Sequence, residues 1–327
     1  MERRSLLLGA FALGALVPTR APTAGPASGK RRLAVLLFGP AADWSFFVPE
    51  LRTELAALGW TEGGNLSIEW RYGNNDPALI RSHAAELVAS RPDAIMTRGT
   101  PGTSALQQAT KTIPILTGVG DPVGSGFAKT YARPGGNITG LSWAAVEGSQ
   151  KQVELLRLLA PELASIVIVA HASRAPFLSE MAGPIEAPAR ALGLATRRAL
   201  VGDLPALERA LRHDQPRGKV GAAITGLGRD VDAAGVARIA LAAGVPTMFE
   251  YRFYVDAGGL ASYRLNWDQQ TRRAAAQVDK VFRGEDPAHI PFELPTRSEL
   301  VLNRTTARAL GLTVPQAVLL QADAVVD

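Results

Sequence analysis

The stretch ARPGGNITGLS, residues 132–142, joins a Pro-Gly-Gly turn to a short β-rich run. Such a turn punctuates a chain, and this one lies between two similar series of elements, which makes it a crossing from one lobe to another. Before it, apolar runs at 33–38, 65–71, 93–97 and 113–119 alternate with helical patterns. After it, runs at 165–170, 219–225 and 245–249 do the same. This alternation is the signature of βα units and parallel sheets. The fold class expected is therefore α/β.

Outward from that crossing, the helix over about 45–58 carries Phe47, Leu51, Leu55 and Leu58 on one face, and Gly59 stops it. Asp76 and Pro77 form an N-cap and N1 pair for the next helix, whose buried stripe takes in His83 as a packing residue. GGLASY at 258–263 suggests a second crossing, and a long helix follows over about 268–282 with Gly284 behind it. An extended segment and a helix near 305–310 complete the chain.

The 327 residues, 47% hydrophobic and 20% charged, exclude a disordered, collagenous or polytopic membrane chain and suggest about two domains. Without cysteine there is no disulfide framework, cysteine-held metal or thiol nucleophile. The opening, MERRSLLLGAFALGALVPTRAPTAGPASGKRR, has the basic, apolar and small-residue order of a secretory signal, weakly of the twin-arginine kind. Its apolar run from Leu6 to Val17 spans about 18 Å as a helix, short of the roughly 30 Å of a hydrocarbon core. Cleavage is expected after Ala21 or Ala27. Export disfavours a kinase or dehydrogenase, because ATP and reduced nicotinamide stay inside. The formal charge of +5 falls to +3 once Arg3, Arg4, Arg20 and Glu2 leave with the leader. With no Lys/Arg run in the remainder, no nucleic-acid partner is expected.

HExxH, GxSxG, Walker A and a post-strand GxGxxG are missing, and His83, His171, His213 and His289 lack ligand spacing, so neither metal nor cofactor is expected. Candidate ligand residues instead lie just past strand ends, where open α/β sheets hold ligands. Trp44 follows the first strand and offers a stacking wall or core packing. Thr100, Pro101, Gly102, Thr103 and Ser104 open a helix whose free N–H groups suit a carboxylate, or simply cap it. Asp121 precedes Pro122 and can accept an ammonium or serve as an N-cap. In the second series, His171, Ser173, Thr225, Glu250, Tyr251 and Tyr263 occupy corresponding places. Facing loops on two lobes imply a cleft. Glu250 has no second carboxylate paired with it by motif, so a catalytic role is the weaker alternative.

Several ordered fragments share one resemblance: GTP at 99–101, IPI at 113–115, DPVG at 121–124, residues 132–142, GGLASY at 258–263, VDKVFRGEDPAHIPFELPTRSELVLN at 278–303 and TARALGLTVPQAVLLQADAVV at 306–326. Together they resemble the ABC-transporter substrate-binding proteins of the tryptophan/tyrosine-binding type. That resemblance implies the type I periplasmic binding fold, two Rossmann-like lobes with parallel sheets joined by three crossings. The division expected is a leader and linker at 1–29, a first lobe of 30–141 plus about 264–290, and a second of 142–263 plus about 291–327. It also implies a monomer in the periplasm that closes on a small ligand, an amino acid or related carboxylate, and delivers it to an ABC permease in the inner membrane. A ligand-sensing partner of a membrane receptor and an exported hydrolase using Glu250 are the alternatives. This chain has His171-Ala172-Ser173 where the family shows Asn-Pro, and Arg264 in place of glycine. Both changes touch the second lobe's approach to the cleft, so an aromatic ligand is not carried over.

Overall fold

The computed structural model describes residues 29–143, 145–173, 178–212, 220–224, 227, 231–265, 267–294 and 298–327. Residues 1–28 of the expected leader lie outside them, as do Thr225 and His213.

Strands β1 (Arg31–Leu37), β2 (Leu66–Tyr72), β3 (Ala94–Arg98), β4 (Ile115–Val119) and β5 (Ile138–Ser142) form one sheet in the order β2-β1-β3-β4-β5, parallel throughout. Helices α1 (Phe47–Ala57), α2 (Pro77–Ala89) and α3 (Thr100–Ala109) make its crossovers. A parallel strand covered on both faces reads as an unbroken apolar run, and Leu33 to Leu37 is one. Leu33, Val35 and Leu37 pack beneath α1, while Ala34 and Leu36 pack beneath α2 and α3.

The second lobe starts with α4 (Ala145–Leu159) and continues through β6 (Ser165–His171), α5 (Leu178–Ala191), β7 (Ala195–Val201), α6 (Leu204–Arg212), β8 (Val220–Ile224), α7 (Ala233–Ala243), β9 (Thr247–Phe249), α8 (Arg252–Asp256) and β10 (Ala261–Leu265). The chain then returns to the first lobe as α9 (Trp267–Phe282). It re-enters the second as β11 (Ser298–Asn303), α10 (Arg304–Ala309), α11 (Gln316–Leu319) and β12 (Ala324–Val326). The second sheet runs β12-β11-β10-β9-β8-β6-β7.

β11 departs from the expected parallel arrangement and runs antiparallel to β10, with Leu265 opposite Ser298. The chain leaves the second sheet at the end of β10 and comes back to that same end, so the returning strand must run the other way. β7 had no apolar run to announce it. It is an edge strand whose Thr196, Arg197 and Arg198 are half-buried or exposed, and such a strand needs no continuous apolar face.

α9 belongs to the first lobe. Trp60 Nε1 donates to Asp279 Oδ1 at 2.8 Å, Thr271 Oγ1 donates to Glu50 Oε2 at 3.1 Å, and the Trp60 and Phe282 rings meet edge to face at 5.0 Å. Phe292 N–H then donates to Tyr131 O, Glu293 N–H donates to Gly140 O, and Ser142 N–H donates to Glu293 O. The chain therefore stays with the first sheet through Glu293, slightly beyond the boundary near 290. Among the described residues no helix is long and apolar enough to cross a membrane.

Candidate ligand cleft

Arg98, the last residue of β3, is only 6% exposed and stands among three aromatic rings. Its guanidinium carbon lies 4.7 Å from the Phe47 ring centroid, 5.6 Å from Trp143 and 6.0 Å from Trp44. Phe47 opens α1, Trp44 closes the short 3-10 turn Ala41–Trp44, and Trp143 follows β5. Parallel strands deliver these residues to one edge because every crossover begins there. Gly118 at the end of β4 lets the Trp143 indole lie against the backbone, since a Cβ there would stand 2.8 Å from Trp143 Nε1. Phe47, Arg98, Thr117, Gly118, Trp143 and Gln277 help line a small, partly open cavity of about 20 Å³.

Burial pushes the Arg98 guanidinium down to about 9, and the Arg264 cation pushes the same way, while Tyr251 and Glu50 oppose them. A guanidinium at that value is still protonated at neutral pH. The direction means that a fixed positive charge is held where water solvates it poorly, and an anion beside it relieves that cost.

Arg264, Tyr251 and Glu250 form the second lobe's counterpart. The Arg264 guanidinium lies 3.8 Å above the Tyr251 ring centroid, and its Nη2 stands 3.4 Å from Glu250 Oε1. Arg264 and Tyr251 both act on the charge of Arg98, so the two groups lie near one another.

At α3, Gly99 is the N-cap with φ +87°, a left-handed conformation suited to glycine, and no side chain caps the helix. Thr100, Pro101 and Ser104 are half-buried at this opening. Gly102 and Thr103 lie deeper. A Cβ on Gly102 would meet Thr97 Oγ1 at 2.1 Å, and Thr103 Oγ1 donates to Gly99 O at 2.8 Å while bonding Thr117 Oγ1 at 2.6 Å. The Thr103 hydroxyl is thus spent inside the lobe. Asp121 is exposed, and its Oδ1 accepts the N–H groups of Val123 and Gly124 at 3.1 and 2.8 Å, the bonds of a structural turn.

His171 and Ser173 bond each other: the Ser173 N–H donates to His171 Nδ1 at 3.2 Å and Ser173 Oγ lies 2.7 Å from it. Tyr263 is placed differently from expectation. Its side chain packs against the second lobe's core under α4 and α10, because neighbouring residues on a strand point to opposite faces and Arg264 takes the other one.

Arg98, Phe47, Trp143, Arg264 and Gln277 were not among the candidates drawn from sequence. Arg98 carried a usable signal, as a cation ending an otherwise apolar strand. Arg264 carried another, as a departure from the family pattern. Among the described residues no group of three or more His, Asp or Glu is arranged to hold a metal ion.

Residues 39–326 match the family model described as ABC transporter substrate binding protein. A tyrosine-binding protein of Clostridioides difficile is 24% identical over 269 residues, covering 78% of this chain and 73% of that protein. A Streptococcus pneumonia ABC domain in complex with L-Trp superposes with a TM-score of 0.73 at 22% identity, over 91% of this chain and 100% of that one. A conserved domain protein of Vibrio cholerae superposes with a TM-score of 0.72 at 27% identity, over 90% and 99%.

Proposed function

Because the chain belongs to the ABC transporter substrate-binding protein family, we propose that it captures an amino acid or related carboxylate outside the cytoplasm and delivers it to an ABC permease as a monomer. Substrate-binding proteins of ABC importers work extracytoplasmically, and the leader-like order of residues 1–29 suits export to the periplasm. The observation that supports the ligand class is the buried Arg98 cation with the Arg264 cation near enough to act on it.

The ligand carboxylate lies between these guanidiniums, assisted by the amides that open α3 at Thr100 to Ser104. Glu250 receives the ammonium, with Asp121 at the rim. Trp44 and Tyr251 wall the cleft, and His171, Ser173 and Thr225 edge it on the second lobe. Each charge-assisted contact is worth about 1.5–3 kcal/mol. The first lobe alone offers only half of them. A bound solute therefore favours the closed arrangement, in which both halves touch it, and shifts the hinge population toward the form a permease recognises. No bond in the ligand changes.

Mass spectrometry of solute retained through mild purification, followed by calorimetry with amino acids and simple organic acids, tests this reading. A carboxylate is expected to bind with an affinity that falls in Arg98→Met. Binding confined to uncharged solutes would refute the carboxylate site.

A further inference from the structure

Gln270 is 1% exposed, yet neither its Nε2 nor its Oε1 has a hydrogen-bond partner among the described residues. Oε1 of the fully buried Gln277 and Nε1 of Trp44 are among the other atoms in that condition. Buried polar atoms are nearly always paired, and each unmet one costs folding free energy, so a side chain with both polar atoms unmet calls for an explanation.

Their positions supply one. Gln270, Ala274 and Gln277 follow the i, i+4, i+7 spacing of one helical row on α9. Ala274 and Gln277 line the cavity, and Gln277 Nε2 is already committed to Gly140 O at 3.0 Å. α9 lies alongside α1, Thr271 meeting Glu50 near its start and Trp60 meeting Asp279 near its end. Its first turn therefore stands at the edge where the strands of the first sheet finish. Gln270 does not itself line that cavity but continues the row of Ala274 and Gln277 on α9, two turns nearer the end where the strands finish. The aromatic faces of this mouth, Phe47, Trp143 and Trp44, are already engaged by the Arg98 guanidinium. A ring brought by a ligand would have to displace that cation from them.

We propose that Gln270, together with Trp44 Nε1–H and Gln277 Oε1, recognises a neutral hydrogen-bonding group on the ligand. The solute this cleft selects is then a small polar one, bearing an amide or hydroxyls, in preference to an aromatic one. The inference rests on the binding function proposed above and adds the character of the group away from the carboxylate. Gln270 offers a donor and an acceptor side by side, which a carboxamide or a pair of hydroxyls complements and a hydrocarbon ring does not.

Calorimetry of the full-length wild-type protein against asparagine, glutamine, serine, threonine, phenylalanine, tyrosine and tryptophan, with pentoses and hexoses alongside, tests the proposal without any variant. The expected result is binding of an amide- or hydroxyl-bearing solute at least about tenfold tighter than of any aromatic amino acid. Gln270→Leu should then weaken that solute about tenfold or more, while the ligand-free protein melts at the same or a higher temperature, since two unmet buried polar atoms have gone. Tightest binding of an aromatic amino acid would overturn the inference and leave the carboxylate reading standing. Tight binding of a sugar with no amino acid bound would support the inference and end the amino-acid reading. No binding across the panel would overturn both. Unchanged affinity in Gln270→Leu, as for an amide met only by ordered water, or a lowered melting temperature as the variant's sole effect, would also overturn it.

Discussion

Arg98→Met should make the protein a much worse binder with little change in stability. The substitution keeps a long, unbranched side chain in a site that is 6% exposed and removes a charge whose burial pushes it down to about 9. Replacing a buried ionic group by an apolar one of similar volume is neutral or stabilising by about 1–4 kcal/mol. Against this stands the loss of cation–π attraction, about 0.5–2 kcal/mol for a desolvated guanidinium, of which the 4.7 Å approach to Phe47 is the closest of three. The methionine sulfur keeps favourable contacts with the same rings, while the attraction of Glu50 is lost with the charge, so the opposing contributions cancel to within about 1 kcal/mol. For lobes of this size Tm then moves by no more than about 2–4 °C, measurable by calorimetric melting without ligand. Loss of a charge-assisted bond of about 1.5–3 kcal/mol weakens carboxylate binding roughly 10- to 150-fold, measurable by titration calorimetry. A lower Tm with unchanged affinity would mean that Arg98 is a structural prop for its aromatic neighbours, and the placement of the anion site would be wrong.

Glu250→Gln should weaken a zwitterionic amino acid about tenfold in titration calorimetry and leave a simple carboxylate without an ammonium nearly unaffected; equal loss for both would place Glu250 outside ammonium recognition. Gly118→Ala puts a methyl 2.8 Å from Trp143 Nε1 and 2.9 Å from Cζ2, so the indole must move; a changed tryptophan fluorescence spectrum and weaker ligand binding are expected, and an unaltered spectrum would contradict the packing. Arg198 bonds both oxygens of Glu186, at 2.6 and 2.8 Å, and holds that carboxyl below its ordinary value of 4.5. A depressed carboxyl contributes stability above its unfolded value that is lost as pH falls through the folded one. The Tm advantage of wild type over Arg198→Met, small because the pair is at the surface, should therefore be present at pH 7 and shrink progressively as pH falls below the ordinary carboxylate range in thermal melts.

Much of the architecture could be read directly because the strands that matter are covered on both faces. Runs such as Leu33 to Leu37 have no polar position, and Asp76-Pro77 and Gly59 mark helix ends by chemistry local to the chain. β7 escaped notice because an edge strand tolerates Arg197 and Arg198. The antiparallel entry of β11 escaped because strand direction depends on which end of a sheet the chain returns to. The post-strand rule named Trp44, Glu250 and Tyr251, which the structure places beside the Arg98 and Arg264 guanidiniums. It passed over Arg98, which is still inside β3, and Arg264, noted only as a departure from a pattern.

What amino-acid order alone determined is periodic and local: two βα series, a crossing at residues 132–142, helix boundaries, and a set of loop residues at strand ends. Contacts among distant segments were decided only by tertiary structure. Phe47, Arg98, Trp143 and Arg264 come from four separate stretches of chain and come near one another because parallel sheets deliver every crossover to the same edge. The side a strand residue faces likewise depends on which helix covers it, which is why Tyr263 turned into a core and its neighbour Arg264 into the cleft. Charge burial has the same origin, since the cost of the Arg98 guanidinium is set by neighbours from Trp143 to Arg264 that are distant in sequence and close in space.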